Sequence, residues 1–451
     1  MVTVARSDVG LELAERALGY AEQHGADQVE VLYLGEDSAL TRFANSEIHQ
    51  NVAESNASVN VRMVFGKRVG VASTNRLDDE GLRRAAQSAA DLSRLQEENP
   101  DFRSLPEPAA IEPAEGAYVD TTAAATPERR AEGARAVIGA AEDLGVHAFG
   151  SFSTAVETVA IASSLGIRAH QISTRADLST VSMGDDGEAG WAEAHSADVD
   201  ELDAAAVGRE ASDRAVRSRK ATALEPGDYQ VVLDPYAVSD IVESIMYLGF
   251  SALAVQEGRS FYEAGRKIGS PLVSIWDDGH DPDGLPLAFD YEGVPKQRVD
   301  LVRDGACVDL VYDSFTAGRD DRASTGHGLP APNPFGPFAI NMFMAPGDTS
   351  REQLVRGMQR GLLVTRFHYT NVVHPKRAII TGMTRDGTFL VEDGEIVGPV
   401  RNLRFTQSYL DALAGVDAVS RERQLLRGYF TSLLVPAVRI GAFTFTGATE
   451  F

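Results

Sequence analysis

The chain runs to 451 residues, with 66 acidic against 42 basic side chains, a formal net charge of -24 and one cysteine. That length calls for two or three domains, and 43% hydrophobic with 24% charged residues excludes collagen-like and wholly disordered chains. The charge argues against general nucleic-acid binding, no run of about 18 apolar residues supplies a membrane span, and a lone cysteine allows neither an internal disulfide nor a cysteine-built structural zinc site.

Residues 1–6 (MVTVAR) lack the apolar core and cleavage site of a secretory leader, so the cytoplasm is the expected address. The next stretch, 11–23 (LELAERALGYAEQ), has helical spacing and stops before Gly25, where a C-terminal cap belongs. A strand-like run follows at 28–34, then His49-Gln50, an alternation at Val59, Val61 and Met63, a β-rich run at 66–73, and a second helix containing Leu82. From 99 to 126 four prolines and little periodicity predict a linker or extended arm. The same order then returns: a helix at 128–143, Gly145, a strand at 147–155, His170-Gln171, Gly190 and Leu202. Gly25 to Gly145, Gly70 to Gly190 and Leu82 to Leu202 are each 120 apart, and the His-Gln pairs are 121 apart. One register kept through helix, strands and helix reads as duplication. The expected N-terminal region is therefore 1–224, with copies at about 5–100 and 125–220 joined by a linker at about 101–124. The basic run Arg214 to Lys220 closes the second copy and reads as a solvated helix end.

A Glu-Pro-Gly at 225–227 opens the second half, 225–451, with a strand at 228–234. Val238, Ile241, Val242, Ile245, Gly249 and Leu253 make one apolar stripe and predict a single helix over 236–257. Beyond it the pattern is β-rich, at 271–276, 299–302, 307–312, 338–344, 362–369, 378–383, 388–391 and 433–446, with short helices at 350–360 and 406–415. Asp304-Gly305, Asp386-Gly387 and Asp393-Gly394 are hairpin signals. The fold class is α+β: a duplicated helix–antiparallel-strand region, then a mostly antiparallel β domain with one long packed helix.

Chemistry is sparse. The nine histidines form no His-Glu-x-x-His, and neither a Gly-x-Ser-x-Gly elbow nor a phosphate-cradling loop occurs. The run 276–283 (WDDGHDPD) offers Asp277, Asp278 and His280 to a hard cation, or is simply a polar loop. The small, donor-rich run Ser324-Thr325-Gly326-His327-Gly328 precedes the proline-rich LPAPNPFGP and reads either as a ligand-facing loop or as a plain one. Cys307 lies in an alternating strand without an activating histidine and reads as a packed thiol.

Several stretches together resemble the TldD/PmbA family, once called modulators of DNA gyrase. They are GADQVEVLYL, SEIHQNV and VGVASTNRLDDEGLRRA in the first half. In the second they are YQVVLDPYAV, EGRSFYEAGRKIGSPLVSIWDD, FDYEGVPKQRVDLVRDG, TAGRDDRASTGHG and ITGMTRDGTFLVEDGEI. The resemblance implies two subunit types. One carries a His-Glu-x-x-x-His helix and a late cysteine holding zinc; the other, TldE/PmbA-like, lacks these ligands and pairs with the first in a protease acting on unfolded or ribosomally made peptides. Here the matching run is Val242-Glu243-Ser244-Ile245-Met246-Tyr247-Leu248, without an imidazole, and no cysteine follows Cys307.

The resemblance thus implies a zinc-free TldE/PmbA-like subunit with no catalytic, cofactor-binding or metal residue of its own. Zinc is expected in a TldD-like partner, an extended peptide as substrate, no nucleic acid and no membrane, with a homodimer allowed when the partner is absent. Peptide-contact candidates are Ser324, Thr325, Gly326 and His327 in the loop, and Thr384 and Arg385 in a turn at 381–385. Two alternatives stand beside it: a homodimeric hydrolase with a metal centre from Asp277, Asp278, His280 and His327, or a non-enzymatic peptide-binding module.

Overall fold

The computed structural model describes residues 7–429 and 431–448; the opening residues 1–6, read above for a leader, lie outside them. The first copy runs α1 (Ser7–Glu22), β1 (Gln28–Ala44), β2 (Glu47–Phe65), β3 (Arg68–Thr74) and α2 (Asp79–Leu95). A short helix, α3 (Asp120–Ala123), ends the connection. The second copy then runs α4 (Pro127–Asp143), β4 (His147–Ser163), β5 (Arg168–Met183), β6 (Ala189–Ser196) and α5 (Ala204–Arg217). Side-chain caps start three of these helices: Asp78 accepts from the Gly81 N–H, Thr126 from Arg129, and Asp203 from Ala206.

The duplication builds one six-stranded sheet in the order β3-β2-β1-β4-β5-β6, with the copies joined where β1 and β4 pair antiparallel. Strand alternation gives it two faces. On one, Val29, Val31, Val59, Val61 and Met63 are buried under Leu13, Ala17, Leu82 and Ala86 of α1 and α2. The second copy repeats this, with Phe152 and Leu178 under Val137 of α4 and Ala211 of α5. On the other face, Leu32 and Ile161 pack against Ala288 and Phe289 of the second half. That contact makes the boundary between the halves a buried interface.

The second half contains β7 (Gly227–Leu233), α6 (Pro235–Ile245), α7 (Ala252–Gln256), β8 (Ile275–Asp277), β9 (Val299–Arg303), β10 (Ala306–Cys307) and α8 (Ser314–Arg319). It continues with β11 (Asn341–Met344), α9 (Arg351–Arg356), β12 (Arg360–His374), β13 (Ile379–Glu392), β14 (Glu395–Pro399), β15 (Leu403–Ser408), α10 (Tyr409–Ala414), β16 (Val416–Arg427) and β17 (Ser432–Ala448). β7 pairs in parallel with β12 and antiparallel with β17, which closes β7, β12, β13, β15 and β17 into a ring. Strands β11, β8, β9 and β10 extend from β17. α6 lays Val238, Ile241, Val242 and Ile245 onto this core. The α+β class holds, with a duplicated first half and a mostly antiparallel second.

Several local expectations change. The single helix over 236–257 is interrupted: α6 passes into a π turn at Met246–Phe250, Ser251 is extended, and helix resumes as α7. The break lets the chain pair with its neighbours, since Ser251 bridges to Val311 and the Ala252 N–H donates to the Val311 carbonyl. Asp386-Gly387 is a bulge inside β13 and turns no hairpin; Arg366 of β12 holds the buried Asp386 carboxylate, and Gly387 takes φ 124°. For the same reason residues 381–385 are strand, not turn. The helix expected over 406–415 is shortened to α10 by β15, which ends at Ser408.

Arg214 also differs from the solvated helix end expected of it. It is buried and donates at 3.0 Å to Asp234, the fully buried residue before α6, which Arg351 grips with two further bonds of 2.5 and 2.7 Å. Burial opposes the Asp234 charge, but Arg351 and then Arg214 overcome it and lower its pKa.

Candidate functional site: a cleft between the two halves

Where the second face of the sheet is not packed, a cleft of ≈ 700 Å³ opens between the halves. Its floor is Leu34–Glu36 of β1, Asn56–Ser58 of β2 and Glu157–Val159 of β4; its wall is Tyr291, Ile340 and the proline-rich loop at 329–335. The sequence places polar groups here because β1 and β4 keep their apolar alternation only until they leave the core. Glu36 and Glu157 lie directly opposite each other in the β1–β4 pair. Arg175 of β5 reaches both, at 3.5 and 2.9 Å, and also pairs with Asp177. Burial and then the Glu157 charge raise the Glu36 pKa. Arg427, at the end of β16, ties Asp177 to the second half at 3.1 Å.

A strand edge runs beside this floor. β3 begins its pairing with β2 at Val59 opposite Thr74, so from Glu47 to Ser58 no strand covers the outer side of β2 among the described residues. Backbone groups on such an edge are a ready template for another extended chain.

The loop Ser324–Gly328 lies behind the cleft wall, and its donors are engaged within the protein. Ser324 Oγ donates to the Tyr312 carbonyl at 3.1 Å, Thr325 Oγ1 meets His327 Nδ1 at 2.9 Å, and the Gly328 N–H donates to Asp290 at 2.7 Å. Gly326 has φ 75°, and an added Cβ would fall 2.3 Å from the Pro295 carbonyl oxygen. This loop is therefore the brace from which 329–335 springs. Thr384 is fully buried in β13, accepting from Thr388 Oγ1 and the Leu403 N–H; Arg385 beside it is exposed. Neither lines the cleft.

The acidic run 276–283 does not converge. Asp277 points inward at the end of β8 and Asp278 outward, where it accepts from the His280 N–H. Asp277 is instead enclosed by His327 Nε2 at 2.8 Å, the Asn341 N–H at 2.7 Å and Lys296 Nζ at 2.9 Å. Burial alone would raise its pKa, but Lys296 and then His327 hold it at about 2. The Lys296 ammonium occupies the place a cation would need, so this set does not fit a metal. Lys296, Tyr291 and the Glu36–Glu157 pair were not singled out from the sequence; the only signal was the run FDYEGVPKQ, which contains two of them.

Polar and apolar side chains and an open strand edge thus line a groove between a duplicated sheet and a strand ring. Residues 29–93 match domain 1 of the PmbA/TldA metallopeptidases, 111–219 the central domain, and 226–447 the C-terminal domain. The chain belongs to the PmbA/TldD family. Its fold matches that of TldE from Thermococcus kodakarensis with a TM-score of 0.86 at 20% identity, covering 96% of this chain and 100% of that one. Among curated proteins, a metalloprotease of Methanocaldococcus jannaschii is 28% identical over 225 residues, 49% of each chain. The metalloprotease PmbA of Escherichia coli O157:H7 is 28% identical over 182 residues, 39% of this chain and 37% of that one. The chain spans about half the length of the curated relatives it matches, or less.

A metallopeptidase family implies a metal. Among the described residues no three His, Cys, Asp or Glu side chains are placed to hold an ion. Glu243 accepts from the Tyr429 N–H and Thr431 Oγ1, both at 2.9 Å, while Val242, Ile245, Met246 and Leu248 around it are buried and apolar. This set does not fit zinc. The Glu243 region nevertheless adjoins the cleft, because Ser432, the residue after Thr431, donates its N–H to the carbonyl of the wall residue Ile340.

Proposed function

We propose that the chain is a zinc-free, TldE/PmbA-like subunit that holds an extended peptide while a TldD-like, zinc-bearing partner cleaves it. The observation that carries this reading is the Glu243 segment. Where the resemblance expects two imidazoles stand Glu243 and Leu248, and the Glu243 carboxylate is already engaged by the Tyr429 N–H and Thr431 Oγ1.

The peptide would lie along the cleft, adding as a strand to the open edge of β2, with Asn56 and Ser58 and the carbonyls of 329–335 beside it. Main-chain pairing is largely indifferent to side chains, which suits unfolded or ribosomally made peptides. The zinc would polarise the scissile carbonyl from the partner; this chain's residues bind and orient. The homodimeric hydrolase reading is disfavoured by Lys296, which sits where its metal would be. A non-enzymatic peptide-binding module shares the same groove and differs only in lacking the partner.

The test is reconstitution. The isolated chain with added zinc should cleave no unfolded peptide, and cleavage should appear when the TldD-like subunit is co-purified with it. Zinc-dependent cleavage by the isolated chain would overturn the reading, and peptide binding without any co-purifying subunit would favour the module.

A further inference from the structure

Glu36 and Glu157 are the only charged side chains among the described residues that line the cleft, and they are 42% and 39% exposed. Their neutralisation is incomplete and one-sided. Arg175 is shared among Glu36, Glu157 and Asp177, while His195 and Arg427 both pair with Asp177. Arg175 also lies nearer Glu157, at 2.9 Å, than Glu36, at 3.5 Å. The asymmetry follows from how the two copies are paired. Glu36 and Glu157 oppose each other across β1 and β4, and the residue two before each pairs outward in the same way: Leu34 with Ser58 of β2, Ala155 with Arg175 of β5. Ser58 therefore stands in the first copy where Arg175 stands in the second. The second copy supplies its glutamate with a guanidinium; the first offers a hydroxyl and open cleft.

We propose that the cleft selects an arginine in the bound peptide, its guanidinium joining Glu36 on the Ser58 side and taking the place that Arg175 fills in the second copy. The inference rests on the peptide reading above and adds one preferred side chain to it. A peptide strand on the outer edge of β2 lies two strand spacings, about 10 Å, from β1, a gap that extended arginine and glutamate side chains together span. Pro330, Pro332 and Phe335 of the wall give the methylene stem apolar surface to lie on. A planar guanidinium also takes both carboxylate oxygens at once, which a lysine ammonium does less well.

The test uses the purified full chain and two fluorescein-labelled unfolded decapeptides, one with a central arginine and one with citrulline, its neutral isostere, in the same position. Followed by fluorescence anisotropy at low salt, the arginine peptide should bind about tenfold or more tightly, and the gain should shrink at high salt. Glu36→Gln should bring the ratio of the two affinities close to one. Ser58→Arg should do the same, because it gives the first copy the guanidinium that the second already has. Equal affinities in the wild type, or a ratio that survives Glu36→Gln, would overturn the inference and leave strand addition standing. Binding of neither peptide would sink the peptide reading itself, and this inference with it.

Discussion

Lys296 Nζ lies 2.9 Å from Asp277 Oδ1 in the interior of the second half, where neither side chain is more than 1% exposed. The contact is an ion pair without the alignment of a hydrogen bond, and the ammonium has no hydrogen-bond partner among the described residues. The same ammonium faces His327, whose pKa is lowered first by burial and then by Lys296.

Replacing Lys296 by Met therefore has two expected consequences. Breaking a buried pair on one side leaves an uncompensated charge, at a cost of about 3–5 kcal/mol, read by urea denaturation. The His327 pKa should also rise, because a cation that opposed its protonation is gone while Asp277 remains 2.8 Å away. Histidine ring resonances followed by NMR across the acid range check this; a His327 titration unmoved by Lys296→Met would show that burial alone sets it.

The interface between the halves should respond to pH in the opposite sense. Arg62 of β2 bonds Glu30 of β1 at 2.6 Å and Glu292 of the second half at 3.0 Å. Burial raises the Glu30 pKa to about 7 in spite of Arg62, and burial followed by the Glu292 charge raises Asp290 and Asp313 nearby. A carboxyl with a raised folded pKa binds its proton more readily in the folded chain. Its stabilising contribution is complete below the unfolded value and is lost as pH rises through the folded one. Relative to Glu30→Gln, the wild type should lose roughly 2–3 kcal/mol between pH 5 and pH 8, since each pKa unit is worth about 1.4 kcal/mol. Denaturant midpoints of both proteins across that range are the measurement, and parallel profiles would mean that Glu30 stays ionised in the fold.

Much of the architecture is legible in the sequence because duplication writes it twice. Gly25 and Gly145 both take positive φ after their helices, at 72° and 64°. The Asp304-Gly305 and Asp393-Gly394 signals do turn hairpins, whereas Asp386-Gly387 has the same letters and makes a bulge. Letters alone do not separate the two, because what decides is Arg366 on the neighbouring strand claiming the Asp386 carboxylate. The cleft was less legible still. Its polar floor comes from β1, β2 and β4, brought together only by the pairing of the two copies. Lys296 is a lone lysine in a loop until the chain brings Asp277 and His327 to it.

The duplication makes one more prediction, at two glycines 120 residues apart. Gly70 of β3 lies under α2, and a Cβ built there would fall 2.3 Å from both the Ala89 carbonyl oxygen and the Ser93 nitrogen. Gly190 of β6 lies under α5, and its Cβ would fall 2.1 Å from the Ala211 carbonyl oxygen and 2.5 Å from the Ala215 nitrogen. In each copy the obstacle is helix backbone, which cannot step aside as a flexible side chain can. The alanine-rich faces of α2 and α5 are what allow the helices to come so close. Gly70→Ala and Gly190→Ala should each destabilise by about 1–3 kcal/mol or more, the range for overpacking a core. The two sites belong to separate copies and share no partner, so the double variant should lose the sum of the single losses. Urea denaturation of the two single variants and the double one reads this directly. Full tolerance of alanine at either glycine would show that its helix does not rest on the strand, and that the two copies are not packed alike.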